Sequence, residues 1–243
     1  MGVLKDAMGD AILTSMWIVS IPLTRILISI FISYVGIQPK SLSGLFTSTI
    51  ATSLRLLTFN LFSRALGGAN FNPSTATAFY AAGLKSDASL ISMATRFPAQ
   101  ATGGVVGVKA LLKFMPKEYK GFLRGPSLKV DLHTGAAAEG VLTFMFCFSV
   151  LMVVVRGPKS PFLKVWLLSY VTTGLYFLRS GYTGPSMNPA NAFGWAYEND
   201  LHNSWEQFYV YWACPIIGAI VAACLFRALS PKPVIKITKK KKE

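Results

Sequence analysis

Six long apolar runs decide what this chain can fold into, because runs of that length suit lipid better than water. They occupy residues 10–35, 44–66, 88–112, 135–155, 162–179 and 208–229. At about 1.5 Å of rise per residue, each can cross a hydrocarbon layer ~30 Å thick as a helix. Charge is correspondingly sparse: 14% of the 243 residues are Asp, Glu, Lys or Arg, against about a quarter in a soluble domain. A soluble protein with a large core would not need such runs. The expectation is an all-α, multi-pass membrane protein.

The formal net charge of +14 would suit a nucleic-acid partner, but its placement argues against one. The basic residues lie mainly between and after the apolar runs, where they meet lipid headgroups and help to set orientation. No stripe of Lys and Arg interleaved with aromatics follows a polar helix. Cys147, Cys214 and Cys224 all fall inside apolar segments. Their odd number and the absence of a CxxC spacing point away from a disulfide framework or a zinc site. His133 and His202 have no second ligand at helical spacing. Neither a metal nor a cofactor is expected, and no nucleophile–base pattern suggests an enzyme.

Two further apolar segments, 71–83 and 187–197, are too short to cross. Each opens on Asn-Pro, as Asn72-Pro73-Ser74 and Asn188-Pro189-Ala190. Asn is a strong helix cap, and proline suits the first turn, where its missing N–H costs nothing. Each therefore reads as a re-entrant half-helix beginning at membrane depth.

The two halves of the chain repeat one order: acidic residue, span, span, Asn-Pro half-helix, span. Asp10 opens the first half and Glu139 the second. With three spans per half, the second copy enters the membrane upside down, which makes an inverted repeat. The repeats cover roughly 8–113 and 134–229 of a single channel domain, 1–230, followed by a basic tail, 231–243. In such a repeat the half-helices enter from opposite faces and their N-termini meet near the midplane. Each end carries roughly half a positive charge and unpaired N–H donors. Cations are disfavoured there. Asn72 and Asn188 can each offer an amide hydrogen to a water oxygen, leaving that water to donate both hydrogens outward and interrupt a proton chain. A pore for small neutral solutes follows.

From Asp10 to about Leu229 the chain resembles the aquaporins. The resemblance rests on the two Asn-Pro boxes, Phe193-Gly194 after the second, the run from Tyr211 through Cys214-Pro215 to Ala219, and the paired acidic residues. Within that family it resembles the plant small basic intrinsic proteins, through Ser74 in the first box, the basic balance and the lysine-rich tail. The resemblance implies a water or small-solute channel, a homotetramer with one pore per subunit, and bracing of the half-helix backbone by Asp10 and Glu139. A proton relay through those carboxylates is the competing role. It also places a selectivity filter at Thr52, Tyr176, Pro185 and Asn191. Asn191 stands where the family usually has arginine, so the filter loses a charge and gains width. Ser74 replaces a small apolar residue, either packing or facing the pore.

Arg25 and Arg55 lie within spans, where charges tend to face a cavity or a partner. Arg55 follows Thr52 by three residues, hence on the same helix face, so it can restore part of the missing filter charge; snorkelling is the alternative.

Six spans put both termini on one side, and the basic tail favours the cytosol. The loop with Lys113, Lys117, Lys120, Arg124 and Lys129 votes the other way. Lys240 and Lys241, fourth and third from the end, resemble the dilysine signal read by a coat receptor, which implies residence in the endoplasmic reticulum membrane. Two other functions fit part of the pattern: a non-conducting scaffold of the same fold, and a solute- or proton-coupled transporter.

Overall fold

A computed structural model describes residues 2–84, 89–179, 181–184 and 186–230. The described residues form helices α1 (Gly2–Val35), α2 (Leu42–Ala65), α3 (Pro73–Ala81), α4 (Leu90–Phe114), α5 (Leu132–Leu151), α6 (Pro161–Arg179), α7 (Pro189–Glu198), α8 (Trp205–Phe208) and α9 (Cys214–Leu229). A 3-10 segment, Lys117–Phe122, follows α4, and single π-helical stretches extend α5 (Met152–Arg156) and join α8 to α9 (Tyr209–Ala213). The latter stretch ends beside Pro215, whose absent N–H interrupts the regular ladder.

Helix starts follow local chemistry. Ser41, Ser89, Asp131 and Ser204 each accept a hydrogen bond from a backbone N–H in the first turn of α2, α4, α5 and α8. The first helix begins at Gly2, ahead of the expected Asp10. The last helical run begins at Trp205, ahead of the expected Phe208, because Ser204 caps it. The expected start at Ala88 lies outside the described residues.

Three helical runs, Gly2–Val35, Leu132–Arg156 and Trp205–Leu229, are long and apolar enough to cross a membrane. Helices α2, α4 and α6 have 24, 25 and 19 residues, lengths that suffice, but α2 and α4 carry more polar side chains. Several of those polar groups are turned inward. Thr49, Thr52 and Ser53 of α2 and Arg96 and Gln100 of α4 are buried. Thr49 and Ser53 satisfy their hydroxyls on carbonyls one turn back.

Large apolar side chains face outward, and several polar and charged ones are sequestered inside. Asp10, Thr14, Gln100, Glu139 and Thr143 have no solvent exposure, while Leu27, Leu54 and Leu61 are more than half exposed. Water would penalise such a surface; hydrocarbon does not.

Packing repeats between the halves. Helix α1 lies along α4, and α5 along α9; each short helix packs on the last long helix of the other half, α3 on α9 and α7 on α4. Glycines permit these approaches. A Cβ on Gly103 would strike the Ala11 carbonyl, one on Gly104 the Ala190 carbonyl, and one on Gly218 the Gly140 carbonyl.

Candidate functional site

The two Asn-Pro segments adopt one backbone conformation. Asn72 has φ −142° and ψ 112°, and Asn188 has φ −143° and ψ 102°. Each caps its short helix: Asn72 Oδ1 accepts from Ser74 N at 2.9 Å, and Asn188 Oδ1 accepts from Ala190 N at 3.0 Å and Asn191 N at 3.4 Å. Proline occupies the first turn of both. Four residues before each asparagine a glycine has positive φ, Gly68 at 85° and Gly184 at 70°, the region only glycine enters freely.

The asparagines also tie the two halves together. Asn72 Nδ2 donates to the Met187 carbonyl at 3.0 Å, and Asn188 Nδ2 donates to the Phe71 carbonyl at 2.9 Å. Each amide thus reaches the residue preceding the opposite asparagine. A primary amide has two N–H groups, so this reciprocal pair uses one on each side. Both asparagines line a single cavity of about 400 Å³.

Behind each box stands a fully buried carboxylate. Asp10 Oδ1 accepts from the Asn70 N–H at 2.7 Å, and Asn70 in turn accepts from Asn72 N at 2.9 Å. Glu139 Oε2 accepts from the Met187 N–H at 3.1 Å, and its Oε1 accepts from the Thr183 hydroxyl at 2.6 Å. The Thr183 carbonyl accepts from the Tyr211 hydroxyl at 3.2 Å.

Two residues of this site escaped the sequence reading. Arg96 binds Asp10 through both oxygens, Nε to Oδ2 and Nη2 to Oδ1 at 2.7 Å each, and Gln100 Nε2 donates to Oδ2 at 2.6 Å. The signal was an arginine and a glutamine one turn apart on one face of an apolar run.

Of the four expected filter residues, Thr52, Tyr176 and Asn191 line the same cavity as the asparagines. Pro185 lies outside the described residues, as do Lys240 and Lys241. Ser74 is fully buried and is not among the residues that line this cavity. Arg25 and Arg55 both line the cavity. The Arg55 guanidinium sits 4.6 Å above the Trp17 ring, which stacks on Phe71. Arg25 lies 5.7 Å from the Tyr176 ring centroid.

These two capped short helices, with carboxylates of the first and fifth helices hydrogen-bonded to the backbone ahead of them, stand in a chain that a family model matches. The model for "Major intrinsic protein" matches residues 4–226. The chain belongs to the major intrinsic protein family. Its members are channels, not enzymes. Aquaporin SIP1-1 of Oryza sativa subsp. japonica is 50% identical over 239 residues, covering 98% of this chain and 97% of the relative. Aquaporin SIP1-1 of Arabidopsis thaliana is 43% identical over 242 residues, 100% and 99% of the two chains. The more distant "Probable aquaporin SIP2-1" of that plant is 31% identical over 242 residues. Together these place the chain in the small basic intrinsic protein subgroup of aquaporins. The X-ray structure of the aquaglyceroporin from Plasmodium falciparum superposes with a TM-score of 0.67 at 19% identity, covering 94% of this chain and 98% of that one. That likeness shows an aquaporin-like fold.

Proposed function

We propose that the chain is a passive channel for water and other small neutral solutes, with six membrane crossings and two re-entrant half-helices, α3 and α7. The observation that carries this reading is the reciprocal asparagine pair. Each amide is fixed by one N–H on the opposite backbone and keeps its second N–H for a permeant. A water oxygen held by both donors points its hydrogens along the pore in opposite directions. The half-helix N-termini add positive potential at the same place. Neutral molecules that accept hydrogen bonds pass; cations are disfavoured.

Asp10 and Glu139 act here as braces. Asp10 spends its two oxygens on four donors, two from Arg96 and one each from Gln100 and Asn70. A coupling carboxylate would have to break that set on every cycle, which favours a channel over a proton-coupled transporter. Thr52, Tyr176, Pro185 and Asn191 form the filter, widened by asparagine in place of arginine, with Arg55 supplying charge from α2.

The setting we assign is the endoplasmic reticulum membrane, with both termini cytosolic, Lys240 and Lys241 presented to a coat receptor, and four subunits per assembly. The repeats span about 8–113 and 134–229 within a channel domain at 1–230, and 231–243 is the cytosolic tail. The test is osmotic shrinkage of proteoliposomes recorded by stopped flow. Fast shrinkage with low activation energy, lost in Asn72→Ala and Asn188→Ala, is expected. Shrinkage no faster than in empty liposomes rejects the water channel and leaves a channel for another small solute or the scaffold.

A further inference from the structure

Among the described residues, the cavity that reaches the two asparagines holds two cationic side chains and no anionic one. Arg25 and Arg55 line it, and among the described residues none that lines it is Asp or Glu. Neither arginine forms an ion pair among the described residues. Arg55 Nε is shielded from solvent and has no hydrogen-bond partner there. Arg25 makes one long bond, from Nη1 to the Arg124 carbonyl at 3.5 Å.

Aromatic faces hold both groups instead, Trp17 for Arg55 at 4.6 Å and Tyr176 for Arg25 at 5.7 Å. A cation–π contact engages the face of a guanidinium and leaves its in-plane N–H donors available. Like charges that share a low-dielectric cavity repel, and a negative ion between them relieves both. The first turn of α7, at Asn191, brings the positive end of a helix dipole to the same wall.

We infer that this cavity is a binding site for one small monovalent anion, of the halide or nitrate class, held between Arg25 and Arg55. A monovalent ion suits the site because desolvation rises steeply with charge, and a space of about 400 Å³ admits such an ion with part of its water. Binding stands on the cavity and its side chains. Its consequence for flux rests on the cavity being the pore vestibule, where a bound anion lies in the path of water.

Iodide is the probe, because it quenches tryptophan and Trp17 lies against Arg55. Purified full-length protein in gluconate buffer is titrated with iodide while tryptophan fluorescence is recorded. The expected result is a saturable quenching component that disappears in Trp17→Phe. Chloride, which does not quench, shifts it to higher iodide. In Arg25→Gln and in Arg55→Gln its half-saturation rises by about tenfold, ~1.4 kcal/mol. Quenching that is linear in iodide, survives Trp17→Phe, or ignores chloride overturns the site. The chloride competition uses the unaltered protein and decides the matter even where a variant does not fold. Shrinkage of proteoliposomes in nitrate against gluconate reads the consequence. Saturable binding with unchanged flux keeps the anion site and counts against the cavity as pore.

Discussion

Removing the charge of Asp10 tests how the first half-helix is held. Asp10 has no solvent exposure and pairs with Arg96, whose side chain is 8% exposed. Asp10→Asn takes from the buried Arg96 guanidinium the carboxylate it pairs with, and breaking a buried pair from one side costs about 3–5 kcal/mol. For a chain of this size about 1 kcal/mol moves the melting midpoint by roughly 2–4 °C. The variant should therefore melt roughly 6–20 °C below the unaltered protein. Arg96→Gln should cost a similar amount by stranding the carboxylate. The double variant should lose less than the sum, since neither charge is left alone; coupling of about 0.5–3 kcal/mol is expected for contacting residues. Thermal unfolding in detergent, followed by loss of the monodisperse peak in size-exclusion chromatography, supplies the four midpoints. An Asp10→Asn midpoint within about 2 °C of the parent, below the range for even 1 kcal/mol, would refute the bracing role. Strict additivity of the two single changes would refute the pairing.

Arg55→Ala should admit sodium that the parent channel excludes, read as a sodium-dependent conductance in planar bilayers; unchanged exclusion sinks its part in the filter. Gly194→Ala should lower the midpoint by an overpacking cost of about 1–3 kcal/mol, because its Cβ would lie 2.6 Å from the Gly104 backbone. Gly174→Ala, where a Cβ meets nothing within 4 Å, should be neutral or raise it. Asp131 caps α5 outside the membrane-spanning part of the helix. The Thr134 side chain and backbone N–H hold its carboxyl below the ordinary 3.8. A depressed acid stabilises above its unfolded value and loses that contribution as pH falls through the folded one. The midpoint difference between the parent and Asp131→Asn should be flat from about pH 5 to 8 and shrink only below about pH 4.

Much of this architecture was legible in the order of residues. Apolar run length alone points to lipid, because nothing else lets a backbone cross hydrocarbon without water. Asn-Pro at the head of two short segments marks capped half-helices, since capping and proline placement are local effects set by neighbouring residues. Asp10 and Glu139 stood out because buried carboxylates in apolar runs need partners. Their partners were another matter. Arg96 and Asp10 are 86 positions apart, and no local rule links them. Arg96 drew no notice in the sequence; it meets Asp10 because α1 and α4 pack closely at Gly103 and Gly107. The same holds for the asparagine cross-bonds, which join residues 115 and 117 positions apart. Arg55 could be placed on the Thr52 face from spacing alone, but that it shares a cavity with Arg25 of another helix could not. Sequence determined which segments form and how each begins, because those depend on contacts a few residues away. Which buried charge meets which, and which charges share a cavity, depended on helices from both halves closing around one another, and only tertiary packing decides that.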